Sequence, residues 1–190
     1  MASRKLLLPV IILALCSAAA AQSPTFGLGK TPTAEEIRAW DIAISPDGKE
    51  LPPGRGTAKE GAPLYSQKCA ACHGATGSGG RAPQLIKTDP PATGFCLTPC
   101  IRGANIMAIH SPYATTIWDY INRGMPFGKE GTLKPDEVYA ITAYLLFKNG
   151  VIPEDQVLDA QSLPRVKMPN KNGYVLPDWK HGMPRPFPNK

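Results

Sequence analysis

One short motif constrains this chain more than any other feature: Cys69-Ala70-Ala71-Cys72-His73. Its C-x-x-C-H spacing is the attachment pattern of c-type haem. Two thiols one helical turn apart can reach the two vinyl groups on one edge of a porphyrin, and the adjacent histidine can then bind the iron. The single motif therefore predicts one covalently bound haem c, attached through Cys69 and Cys72, with His73 as an axial ligand.

Two other kinds of site use paired cysteines, and the sequence supports both less well. A structural zinc site needs two further ligands at close spacing, and the sequence has no second C-x-x-C and no H-x-x-H. A thioredoxin-like redox pair needs a preceding strand in a βαβ pattern, which the sequence does not show. Haem attachment remains the favoured interpretation.

The first 21 residues have the organisation of a secretory signal peptide. A basic start precedes an apolar stretch over residues 6–15, and Ala19 and Ala21 occupy the positions of an A-x-A cleavage site. The apolar stretch is too short to span a bilayer as a stable helix. We therefore expect cleavage before Gln22 and a soluble periplasmic protein without a membrane span.

Composition limits the remaining possibilities. The chain of 190 residues is 43% hydrophobic and 19% charged, which is typical of a globular protein. The net charge of +6 comes from scattered basic residues without a run of five or more, so no nucleic-acid partner is expected. The 21 prolines and 18 glycines predict long irregular segments.

Export also bears on the other cysteines of the mature chain. Cys96 and Cys100 are four positions apart, and in an oxidising compartment a local disulfide is favoured over two free thiols. The loop between them is small, so such a disulfide would stabilise the fold only modestly. The sequence leaves both states open.

Periodicity predicts helices on both sides of the motif. Gly61, Tyr65 and Cys69 recur every four residues on one helical face, and Gly61 would let another helix approach closely. Further helices are predicted over about residues 113–122 and over residues 135–149, with a shorter turn near 35–41. The first and last helices of the haem segment could therefore cross and pack closely.

Two loops are candidates for completing the haem site. Pro83 follows the histidine and could offer its carbonyl to the imidazole N–H, although an ordinary turn proline is the alternative. Met125 lies between two predicted helices in a loop with Gly124 and Pro126, and His–Met ligation makes an electron carrier. Met107, Met168 and Met183 are the other candidates for the sixth ligand, and any single Met can instead fill the core.

The arrangement of helix, C-x-x-C-H motif, proline loop, Met-Pro loop and last helix over residues 59–150 resembles a class I cytochrome c domain. More specific segments, together covering about residues 26–180, resemble the cytochrome c subunits of molybdenum-dependent sulfite and sulfane dehydrogenases (SoxD-like). They include Ala39-Trp40-Asp41-Ile42, Ser111-Pro112-Tyr113-Ala114-Thr115-Thr116 and Lys167-Met168-Pro169-Asn170. The resemblance implies thioethers at Cys69 and Cys72 and axial ligation by His73 and Met125. Lys134 lies just before the last predicted helix and is not a favoured N-cap residue, since Thr or Ser would cap that helix better.

The expected architecture is all-α: a single class I cytochrome c domain wrapped by an irregular N-terminal arm and C-terminal tail. The expected segments are a signal peptide (1–21), an N-terminal arm (22–58), the cytochrome c domain (59–150) and a C-terminal extension (151–190). Further haem contacts are expected from Arg81, Pro83, Tyr113, Trp118 and Arg123.

The expected function is single-electron transfer by a periplasmic monohaem cytochrome. The resemblance implies a molybdopterin dehydrogenase of the sulfite or sulfane type as donor and a downstream cytochrome or oxidase of the respiratory chain as acceptor. The alternatives are a haem enzyme or sensor with a displaceable sixth ligand, or an acceptor for another periplasmic dehydrogenase such as an alcohol dehydrogenase. The sequence favours a non-catalytic carrier or a cytochrome subunit over an enzyme.

Overall fold

The structure is a computed structural model that describes residues 27–88 and 106–173. The chain divides into two compact units, Met1–Asp41 and Ile42–Lys190, which are described separately. The predicted signal peptide, the pair Cys96 and Cys100, and the last 17 residues lie outside the described residues.

The described part of the first unit, residues 27–41, contains one short helix, α1 (Ala34–Trp40). Thr33 and Glu36 begin it reciprocally: the Thr33 hydroxyl accepts from the Glu36 N–H at 3.1 Å, and the Glu36 carboxylate accepts from the Thr33 N–H at 2.8 Å. The helical turn expected near residues 35–41 is therefore present, and none of its residues is buried.

The second unit is mostly helical, as the sequence predicts. Its helices are α2 (Ala58–Lys68), α3 (Ala70–His73), α4 (Met107–His110), α5 (Ala114–Gly124) and α6 (Pro135–Lys148). The sequence did not predict the small antiparallel pair of β1 (Arg55–Gly56) and β2 (Leu158–Asp159), in which Arg55 lies opposite Asp159. A 3₁₀ turn follows at Leu163–Arg165. In the described residues, no helix reaches the length and apolarity that a membrane span requires.

The close contact between α2 and α6 forms the frame of this unit. A Cβ added to Gly61 would lie 2.0 Å from the carbonyl oxygen of Ala140, so only glycine allows this approach. Next along the contact, the rings of Tyr65 and Tyr144 lie 5.1 Å apart. Helix α5 joins the same core, where the Trp118 ring lies 5.4 Å from that of Tyr139.

The segments on either side of this frame are irregular and are attached to it by specific contacts. Before α2, the Ile44 N–H donates to Asp119 of α5, and the carbonyl of Pro52 accepts from the Tyr139 hydroxyl at 3.0 Å. After α6, the side chains of Leu158, Leu163 and Met168 are buried in the core. Burial of Met168 shows that the tail packs tightly at this position although no α-helix supports it.

Candidate functional site

The C-x-x-C-H motif lies at the junction of α2 and α3. The Cys69 N–H donates to the Tyr65 carbonyl at the end of α2, and the His73 N–H donates to the Cys69 carbonyl at 3.0 Å. The motif therefore forms a single helical turn. Gly74 ends it with a φ of +86°, and a Cβ there would lie 1.9 Å from the Ser78 carbonyl oxygen. Glycine is thus required where the chain turns away from the histidine.

The carbonyl of a loop residue, Pro83, fixes the orientation of the His73 imidazole. The ring is buried, and its Nδ1 lies 2.7 Å from the carbonyl oxygen of Pro83. A carbonyl can only accept, so Nδ1 carries the proton and the lone pair is left on Nε2. The loop returns to this position because the Ala82 N–H donates to the Cys72 carbonyl at 2.9 Å.

Both cysteines of the motif are half-buried, and neither forms a disulfide. Burial raises the pKa of the Cys69 thiol to about 11. A reactive thiolate requires a lowered pKa, so this environment does not suit a thioredoxin-like pair. Cys72 Sγ accepts from the guanidinium of Arg81 at 3.3 Å. Within the described residues, no group of three or more His, Cys, Asp or Glu side chains could hold a metal ion.

Met125 is the first residue after α5, and its N–H donates to the Ile121 carbonyl at 3.1 Å. Its half-buried side chain packs against the core, as does that of Met107, whereas Met168 is fully part of the core. The described contacts do not join Met125 to His73, so its role as the sixth ligand stays a prediction.

The structure separates the other predicted haem contacts into two groups. Arg81 and Pro83 contact the motif itself, whereas Tyr113, Trp118 and Arg123 belong to α5 and its N-cap. Tyr113 lies at the far end of that helix from Met125, on the wall of an open cavity of about 550 Å³, with Lys171 Nζ 4.2 Å from its ring centroid.

Trp118 and Arg123, the two remaining candidates for haem contacts, differ in whether their N–H groups have hydrogen-bond acceptors in the protein. The Trp118 indole N–H is buried, and the described residues supply no acceptor for it. The Arg123 guanidinium instead binds Asp119, with Nε 2.8 Å from Oδ1. Trp118 therefore has a donor available for a cofactor, while Arg123 is engaged within its own helix.

Asp119 is a buried polar residue that the sequence analysis missed. Only 8% of it is exposed, and it accepts from the backbone of Ile44 and twice from Arg123. A signal for it exists in the sequence: a lone acidic residue between the core residues Trp118 and Ile121, four positions before an arginine.

The donor set fits a covalently attached haem c. Two thiols lie one turn apart, and the neighbouring buried imidazole has its tautomer fixed so that Nε2 is free to bind iron. Half-buried apolar side chains packed against the core, among them Leu64, Leu85 and Met125, could line such a group.

Comparisons with known proteins agree with this chemistry. Residues 56–145 match the family model described as cytochrome c oxidase, cbb3-type, subunit III. A chain in the crystal structure of the sulfane dehydrogenase SoxCD from Paracoccus pantotrophus is 37% identical in sequence, with a TM-score of 0.65. The match covers 81% of this chain and 73% of that chain. No curated protein sequence matches significantly.

The identity and coverage of the SoxCD match, together with the family model over the motif, establish the class of protein. The mostly helical fold agrees with it. The chain is therefore a member of the c-type cytochrome family, an electron-transfer haemoprotein whose cofactor is covalently bound haem c.

Proposed function

We propose that this cytochrome works in the periplasm, where it accepts single electrons from a molybdenum dehydrogenase of the sulfite or sulfane type and passes them to the respiratory chain. The observation that carries the proposal is the similarity to a chain of the sulfane dehydrogenase SoxCD at 37% identity over most of both chains. The predicted signal peptide supports export, and the acceptor is a downstream cytochrome or oxidase.

Each residue of the site has a distinct part in this function. Cys69 and Cys72 would attach the cofactor through thioethers, and His73 would bind the iron through Nε2 while Pro83 holds its Nδ1–H. Met125 would be the second protein ligand of the iron, and His–Met ligation favours the ferrous state. Haem c supplies the one-electron chemistry of its iron.

The surface around Met125 suits brief contact with a redox partner. Phe127, two residues further on, is 89% exposed, and Lys129 is also exposed. Two other cations of this unit are less available for docking, because Lys68 pairs with Glu137 at 3.1 Å and Arg123 pairs with Asp119. Redox contacts of this kind are often small, below about 1,200 Å² in total. We therefore propose that the partner docks at Phe127 and Lys129.

Reduction assays with the holoprotein test the partner. We expect sulfite or a sulfane substrate to reduce the cytochrome only when a molybdenum dehydrogenase is present, at a rate that falls with rising salt because screening acts over about 10 Å at 0.1 M. Rapid reduction by sulfite alone would point to a haem enzyme. Reduction only by another dehydrogenase, such as an alcohol dehydrogenase, would replace the proposed donor.

Substitution of Met125 tests the ligand. Met125→Ala should leave the cofactor attached, since the thioethers come from Cys69 and Cys72, but should lower the reduction potential and let carbon monoxide bind the ferrous protein. Met107→Ala and Met168→Ala are the matched controls and should retain the wild-type spectrum. An unchanged spectrum in Met125→Ala, with a change in either control, would transfer the ligand role to that methionine.

A further inference from the structure

Asp119 places a carboxylate in a buried position, where its desolvation opposes folding. Burial of an unpaired carboxylate costs several kcal/mol, so buried charges persist where donors surround them. Asp119 has such donors: Oδ1 accepts from the Ile44 N–H at 3.2 Å and from Arg123 Nε at 2.8 Å, and Oδ2 accepts from the same guanidinium. An apolar side chain would fill this helical face without needing any of them.

The donors come from two distant parts of the chain. Ile44 belongs to the irregular segment before β1, 75 positions from Asp119 in sequence. Arg123 lies in the last turn of α5, two positions before Met125. Asp119 therefore links the segment that contains Ile44 to Arg123 in the last turn of α5, the turn that leads into Met125.

We propose that Asp119 is a positioning residue for Met125. The inference rests on the proposed role of Met125 as the sixth ligand. Helix ends fray when nothing holds their last turn, and the Met125 N–H donates to the Ile121 carbonyl in that turn. By holding Arg123 and Ile44 together, Asp119 keeps the turn closed and fixes the direction in which the methionine leaves the helix.

The distinction from a merely structural contact can be measured, because the chain offers a matched control. Asp136 also accepts a backbone N–H from the segment before α2, that of Arg55 at 2.8 Å, but it lies in the first turn of α6. Asp136→Asn should therefore weaken a similar attachment without touching the end of α5.

The experiment compares holoprotein variants Asp119→Asn, Arg123→Gln and Asp136→Asn by redox titration, the absorption band of Met-ligated ferric haem, carbon monoxide binding and thermal unfolding. For Asp119→Asn and Arg123→Gln we expect the ferric-to-ferrous ratio at fixed potential to rise roughly tenfold, about 59 mV for a one-electron couple. The band should weaken and carbon monoxide should bind measurably. Asp136→Asn should lower only the unfolding temperature. Arg123→Gln keeps the test valid if Asp119→Asn does not fold.

Equal potentials and spectra in all three variants, with losses of stability alone, would overturn the inference and leave the proposed function intact. The Met125→Ala variant separates the two claims. If that variant kept the wild-type spectrum, the ligand assignment itself would fail, and the role of Asp119 with it.

Discussion

At Gly61 the backbones of α2 and α6 come closer than any side chain allows. The Ala140 carbonyl oxygen lies 2.0 Å from the position of a Cβ, and Ala140 C lies 2.6 Å from it. Both atoms belong to the backbone of a buried helix, so neither can move aside as a flexible side chain would. The crossing of these helices holds the helix that leads into the haem motif.

Gly61→Ala should therefore destabilise the holoprotein. Alanine gains up to about 1 kcal/mol of helix propensity over glycine, but overpacking costs about 1–3 kcal/mol and more where a backbone must shift. The cost of the steric clash exceeds the gain in helix propensity, so Gly61→Ala should unfold at a lower denaturant concentration than the unchanged protein. Gly124→Ala is the control, because its Cβ would meet nothing closer than Tyr120 at 4.0 Å. Equal stability of the two variants would contradict the close crossing.

Helices α1, α2 and α6 begin with related but unequal caps. At α2, the Thr57 hydroxyl accepts from the Glu60 N–H while Glu60 accepts from the Thr57 N–H, which repeats the arrangement of Thr33 and Glu36. At α6 only the second of these bonds is present, from the Lys134 N–H to Glu137 at 2.9 Å. A lysine ammonium has no lone pair to accept from a helix N–H, so the cap of α6 is incomplete.

Lys134→Thr should complete this cap and raise the free energy of unfolding by about 0.5–1 kcal/mol, since Thr is among the favoured N-cap residues. Thr57→Ala makes the opposite change at α2 and should cost about 1 kcal/mol. Chemical denaturation of both variants checks the pair. A loss of stability in Lys134→Thr would mean that the lysine makes a more favourable contact than the hydroxyl.

On the scale of the whole molecule, two buried tyrosines link stability to pH. Burial raises the pKa of Tyr65 and of Tyr139 to about 12. Their hydroxyls donate to the carbonyls of Gly74 and Pro52, bonds that exist only while the phenols are neutral. In the unfolded chain tyrosine ionises near pH 10, so between about pH 10 and 12 the folded state binds more protons.

The free energy of unfolding should therefore be independent of these groups below about pH 10 and should fall above it. Each tyrosine contributes up to about 1.4 kcal/mol per pH unit inside that window. Tyr139→Phe should make the free energy of unfolding fall less steeply with pH above about pH 10. Tyr120→Phe, at a position 49% exposed, is the control and should leave that slope unchanged. Denaturant titrations between pH 8 and about 11.5 make the comparison, and an unchanged slope in Tyr139→Phe would contradict the assignment.

The sequence by itself determined the features that depend on neighbouring residues. The C-x-x-C-H motif predicted the haem protein, which the comparisons confirmed, and periodicity located α2, α5 and α6 within a few residues. The contact between His73 and Pro83, ten positions apart, could also be anticipated because one short loop joins them. Ligation by Met125 remains a prediction, since the contacts of the described residues do not join it to His73.

Contacts between side chains that are far apart in the sequence could be identified only from the structure. Arg123 binds Asp119, and Asp119 in turn accepts from the backbone N–H of Ile44. Strand β1 pairs with β2 about 100 positions away, and Met168 from the tail is buried in the core. Periodicity reports which face of a helix is apolar but not what covers it, because the covering chain is chosen by packing and by the need to satisfy buried polar groups.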